Sequence, residues 1–170
     1  MPASITPYKA ERIADYFISV ANKQIIDEGG IAEGITNLKL QKILYFAQAA
    51  HLAVHEKPLF KEEIEAWKFG PVIPSVYHKY KKYANRTIPN PKSVPEFNEQ
   101  LTNFLNSIWE IYGKYSAAEL VEITHNHKPW KQAFFEGKGS GIIEQAVMMS
   151  HYKGYFLPQN ETSMETKKTA

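Results

Sequence analysis

Cysteine is absent from the 170-residue sequence. No disulfide framework, thiolate metal site or cysteine nucleophile can therefore exist, and the absence is compatible with a reducing compartment. Long apolar runs are missing as well. No stretch approaches the ~20 residues of a membrane span. The opening MPASITPYKAERIADYF is interrupted by charges before any apolar run lengthens, so it does not read as a signal peptide. A soluble, cytoplasmic protein with no membrane partner is expected. Neither sign of charge dominates: 20 Lys and Arg face 18 Asp and Glu, for a formal net charge of +2. That balance does not demand an anionic partner, and any basic patch must be local. The phosphate-cradling glycine motifs and G-x-S-x-G are also missing. His55-Glu56 does not begin H-E-x-x-H, because Leu59 stands where the second His is needed. No enzyme activity, cofactor or metal is expected.

What is present is an ordinary globular composition, 44% hydrophobic. A chain of this length can bury about two-thirds of its unfolded surface without staples. Thr6 is expected to cap a first helix with Pro7 at its first position. Ile13, Phe17, Val20 and Gln24 follow at helical spacing, and Asp27–Gly30 ends the run. Thr36 then caps NLKLQKILYFAQAAHLAV. At about 100° per residue, Leu40, Ile43, Leu44, Ala47, Ala50 and Val54 share one face, and Leu38, Tyr45, Ala49 and Leu52 lie opposite. A helix apolar on both sides must be covered on both sides. Residues 37–54 are therefore the expected central helix, with Lys39 and Lys42 leaving along a narrow edge.

EIEAWKF has strand-like alternation, which gives a small β element near 63–69 with Trp67 and Phe69 on one face, as candidates for the core. Gly70-Pro71 is expected to break it. Pro74 opens a helix to about Ala84. A proline-rich loop follows, with a short paired segment at Thr87-Ile88. Phe97–Tyr112 has the spacing of a long amphipathic helix. Ser116-Ala-Ala-Glu119 reads as a capping box for a helix to about Asn126. Pro129 starts another helix, GKGSG is a turn, and Ile142–Tyr152 is the last helix. The expected fold is mainly α: a compact multi-helix single domain over 1–157, with a flexible tail at 158–170.

The stretch EAWKFGPVIPSVYHKYKKY mixes aromatic with basic residues. On a helical wheel Tyr77, Tyr80, Ala84, Val76 and Tyr83 fall together, and Lys81, His78, Lys82, Arg86 and Lys79 take the remaining arc. Base stacking needs aromatic faces exposed inside a positive groove. Segregation favours a helix packed by its aromatic side, with a solvated basic face. A nucleic-acid-binding regulator using residues 74–84 is the alternative, since a few lysines give salt-dependent affinity. His51 and His55 have the spacing of two metal ligands, but a site normally needs three or four; His51 falls on the core face. His125-Asn126-His127 reads as a helix C-terminus, where histidine complements the dipole.

Three stretches carry a resemblance: TNLKLQKILYFAQAAHLA, PLFKEEIEAWKFGPVIPSVYHKYKKY and LVEITHNHKPWKQA. In that order and spacing they resemble the Panacea domain, also called the SocA-like antitoxin domain, over roughly Ile13 to Phe156. The resemblance implies a mostly helical domain with a small β element and no catalysis. It implies an often prophage-associated antitoxin of a type II-like system that binds and neutralises a cognate protein toxin, usually encoded by a neighbouring gene. One characterised member of the family also delivers its toxin to a protease as an adaptor. Some members carry a separate N-terminal DNA-binding domain, for which this sequence is expected to leave no room. From the residues themselves, Lys39, Lys42, Trp67, Tyr77, Lys81, His125 and Trp130 are the candidate partner-binding positions.

Overall fold

The computed structural model describes residues 7–136 and 140–156. Its centre is α2 (Asn37–His55), in which every residue from Leu40 to Ala53 is buried. Thr36 caps it by accepting from the Lys39 N–H at 3.3 Å. Glu56 ends it in the left-handed region, φ 56°. The two apolar faces are covered from different sides by α1 (Ala10–Asp27), α4 (Glu99–Tyr112), α5 (Ala117–His125) and α7 (Gln145–Tyr152). Phe46 stacks on Tyr112 with ring centroids 4.0 Å apart. Each such buried side chain contributes about 1.5–3 kcal/mol relative to exposure. The polar residues of α2 hold loops to it. Gln48 accepts from the Leu59 N–H at 2.7 Å and donates to the Phe60 carbonyl at 2.8 Å. Gln41 accepts from the Ile73 N–H at 2.9 Å. The mainly helical fold around a buried central helix, with a small β element, is the one expected.

The first helix starts later than its proline suggests. Tyr8 is extended, and its N–H donates to the Leu59 carbonyl at 2.9 Å. The Ala10 N–H is then met at 2.9 Å by Glu62, 52 residues away, so a distant carboxylate sits at the positive end of the helix. The expected Thr6 cap lies outside the described residues. The helix ends at Asp27, as expected, with Gly29 and Gly30 at positive φ.

The β element is a hairpin. β1 (Glu65–Trp67) pairs antiparallel with β2 (Gly70–Val72) in the register Glu65 to Val72, Ala66 to Pro71 and Trp67 to Gly70. Gly70-Pro71 thus begins the return strand rather than breaking the element. Pro71 fits because it stands opposite Ala66, whose own N–H points away from β2 and donates to the Gly141 carbonyl at 2.8 Å. At such a position the missing proline N–H costs no ladder bond. On that outer side Ile142 bridges Glu65, and the Ile143 N–H donates to the Ile64 carbonyl at 2.8 Å. Residues 141–143 are therefore extended, and the last helix begins at Gln145 instead of Ile142. Phe69 does not join the core. It lies in the turn with Lys68 and is 59% exposed.

After β2, α3 (Pro74–Tyr80) continues as a 3₁₀ turn, Lys81–Tyr83. Val76 and Tyr80 face inward, and His78, Lys79, Lys81 and Lys82 are exposed, the segregation expected from the wheel. Thr87-Ile88 forms no strand, but the Ile88 N–H donates to the Ile35 carbonyl at 2.9 Å. The Ser116–Glu119 capping box closes in both directions, at 3.1 and 2.9 Å. Finally α6 (Lys128–Glu136) follows α5 after a short turn. Part of the expected GKGSG turn, residues 137–139, and the expected tail lie outside the described residues. Among the described residues no helix is long and apolar enough to cross a membrane.

Candidate functional site

Helix α2, the α5–α6 junction and α3 converge on the hairpin turn. The Trp130 indole N–H donates to the Trp67 carbonyl at 2.8 Å. The Lys42 ammonium donates to the Pro71 carbonyl at 3.1 Å. The His125 Nε2 is buried with no hydrogen-bond partner among the described residues. His125 also stacks on Trp130 at 3.9 Å, and Trp130 on Phe134 at 4.6 Å. Trp67 packs edge-on against Tyr77 at 4.9 Å, and its indole N–H donates to the Glu65 carboxylate at 2.9 Å. The turn is thus held on both flanks by side chains from separate helices. Lys68 and Phe69 stand at its tip, both exposed.

Gly70 makes the approach possible. Its φ of 104° is a conformation that side chains rarely adopt. A Cβ there would sit 2.4 Å from the Lys42 Cε and 3.0 Å from the Thr124 Oγ1. The α2 and α5 residues beneath the turn therefore need a glycine above them.

Lys42 does not leave along an edge of α2. It is 0% exposed, because the hairpin lies across the edge from which it was expected to protrude. Burial pushes its pKa down to about 7. Burial also lowers His125; the Lys68 backbone opposes that shift and the nearby Lys42 adds to it. Lys39 does not extend into solvent either. It folds over Trp109, with its ammonium 5.3 Å from the ring centroid, and donates to the Gly113 carbonyl at 2.6 Å. Burial lowers its pKa, partly offset by Glu33 and Glu119. Lys39 thus belongs to the α2–α4 contact and not to the hairpin.

Lys42, Trp67, Tyr77, His125 and Trp130, all singled out from the sequence, are brought together. Lys81 is exposed one turn beyond Tyr77. Phe69, Gly70 and Thr124 escaped sequence reasoning. The sequence pattern makes Gly70 a breaker and Phe69 a core residue, whereas Gly70 begins β2 and Phe69 is exposed. Thr124 had only its place next to His125 as a signal. His78 lies beside Trp67, ring centroids 6.4 Å apart, whereas His51 and His127 have separate surroundings. His51 is buried, with Nδ1 at the Lys57 carbonyl. His127 turns away from the hairpin toward the Tyr152 hydroxyl, 2.7 Å from its Nδ1. Among the described residues there is no cluster of three or more His, Asp or Glu that could hold a metal ion.

Residues 40–131 match the family model described as "Antitoxin SocA-like, Panacea domain". That span runs from α2 to α6 and encloses every side chain that holds the hairpin. The chain is also 31% identical over 137 residues to Antitoxin SocA of Caulobacter vibrioides (strain NA1000 / CB15N), covering 73% of this chain and 72% of that protein. No solved structure matches it. With a family match over more than half its length and a relative aligned across most of both chains, the protein belongs to the SocA-like antitoxin family, the Panacea domain family.

Proposed function

We propose that this chain is an antitoxin that neutralises a cognate protein toxin by binding it directly and stoichiometrically, without catalysis. Family membership supports the antitoxin role. The observation that supports direct binding is the hairpin: an aromatic turn held at both flanks and displayed at the surface. A pre-organised surface loses little entropy when a partner docks, and aromatic side chains are the commonest anchors of protein interfaces. The complex would bury an interface of roughly 1,200–2,000 Å² in total. On this reading the toxin is encoded beside the antitoxin, in the prophage context the family resemblance implies, and the pair meets in the cytoplasm. A protease-adaptor role would be an addition to binding, not a substitute for it.

The experiment is a nuclease-treated affinity pull-down from the source cells, followed by expression of the captured protein alone and together with this chain. The expected result is one stoichiometric protein that stops growth alone and is tolerated on co-expression. A stable complex in which the toxin retains full activity would exclude neutralisation by binding.

A second reading, nucleic-acid binding through residues 74–84, is favoured by the exposed Lys82 and Arg86. Lys79 is less available, since it pairs with Glu11 at 3.6 Å. That reading predicts affinity falling steeply with salt and abolished by reversing Lys79, Lys82 and Arg86 to Glu. The salt series and the reversed variant test it together.

A further inference from the structure

We propose that the Lys68-Phe69 tip of the hairpin is the element inserted into the toxin, entering an apolar pocket rimmed by carboxylates. The inference rests on the direct-binding reading and names the face and the chemistry of the partner. Phe17, Phe46, Phe60, Phe104 and Phe156 are buried, whereas Phe69 is 59% exposed and Phe135, on α6, is 87% exposed. A single exposed apolar residue is ordinary in itself. What distinguishes Phe69 is its support. The carbonyls flanking the turn are bound at 2.8 Å by Trp130 and at 3.1 Å by Lys42, and Gly70 leaves no room for the turn to carry another residue there. An apolar side chain carried on a backbone fixed in this way costs little backbone ordering entropy on insertion.

The charges around the tip select the partner. Lys68 lies over the Phe69 ring, its ammonium 5.5 Å from the centroid. The Trp67 and His78 rings lie beside each other, centroids 6.4 Å apart, and the exposed Lys81 and Lys82 follow in the 3₁₀ turn that continues α3. None of Lys68, Lys81 and Lys82 forms an ion pair among the described residues, where Lys79 is held by Glu11 and Asp15. The carboxylate beside the tip, Glu65, is engaged by the Trp67 indole. The face is therefore an aromatic tip with unpaired cations beside it. Its complement is an apolar pocket with acidic edges, which speeds association and discriminates against basic partners.

The test uses the toxin captured by the full-length chain in the nuclease-treated pull-down. Its dissociation constant is measured against wild type, Phe69→Ala, the double variant Lys81→Glu/Lys82→Glu, and Lys23→Glu on α1 as a control, with thermal melting of each variant. Phe69→Ala and the double reversal should each weaken binding at least tenfold with little change in melting temperature. The double reversal should also flatten the salt dependence, and Lys23→Glu should bind as wild type. Unchanged affinity in folded Phe69 and Lys81/Lys82 variants would overturn the inference while leaving direct binding intact. Capture of no toxic protein would overturn the direct-binding reading itself. Nucleic acid as the only species captured when nuclease is omitted, or self-association abolished by Phe69→Ala, would show that the tip serves another partner and would also overturn it.

Discussion

Gly70 and Lys42 carry the hairpin, and each makes a measurable prediction. Replacing Gly70 by Ala forces a side chain into a backbone conformation at φ 104° and places its Cβ 2.4 Å from Lys42. Strain and overpacking each cost about 1–3 kcal/mol, so Gly70→Ala should lower unfolding stability by at least about 2 kcal/mol in urea titrations. A loss under 0.5 kcal/mol would mean that the turn yields easily. Lys42 is costly in its charged form, because burial holds its pKa at about 7. Between that value and the ordinary lysine range the unfolded chain binds a proton that the folded chain has released. Stability should therefore rise with pH across this window, and the cost should be fully present below it. Lys42→Met lacks the titration, so wild type should gain on it by a few kcal/mol between pH 7 and 10; parallel stability curves would contradict the assignment. The helical wheel placed Lys42 correctly relative to its own helix. It could not show that a hairpin almost thirty residues later lies across that edge.

At the scale of elements, helices were legible wherever a local device announced them. Thr36, Ser116 and the Asp27–Gly30 stop need only neighbours in sequence, and they act where expected. The start of α1 was not legible, since its cap is Glu62. β2 and residues 141–143 were missed for the same reason. Strands of three residues are too short to show alternation, and only pairing across the chain makes them strands. The elements are further tied by a buried polar chain: Tyr45 and Tyr152 hydroxyls lie 3.0 Å apart, and His127 meets the latter at 2.7 Å. Burial, with His151 and Lys131 nearby, pushes the His127 pKa down to about 4. Between the ordinary histidine value and that one, the unfolded chain takes up a proton that the folded chain refuses. Stability should then fall as pH drops through this window. His51, also held near 4 by burial, adds to the same acid limb. Thermal melting from pH 7 to pH 4 should show the decline, and His127→Phe should make it shallower. Equal slopes for both proteins would remove His127 from the account.

For the whole molecule, the family was legible in three stretches of the sequence, and these contain the residues that build the hairpin: L-Q-K with Lys42, W-K-F-G-P with Trp67 and Gly70, and T-H-x-x-x-P-W with His125 and Trp130. Their spacing along the chain follows from their meeting in space. The contact surface was less legible. The residues of those stretches face the turn they support, and the alternation of EIEAWKF runs on to Phe69, two residues past the end of the strand, so it places an exposed side chain in the core. The picture is of a helical body that holds one short turn outward, with most of its distinctive residues engaged in holding it.

The most direct test of neutralisation by stoichiometric binding is a titration of the purified toxin's activity with this chain. The account predicts a linear loss of activity that reaches its end at a fixed molar ratio and stays there. Inactivation by a small fraction of an equivalent, growing with time, would reveal catalysis and contradict it, as would a toxin that remains active inside the complex.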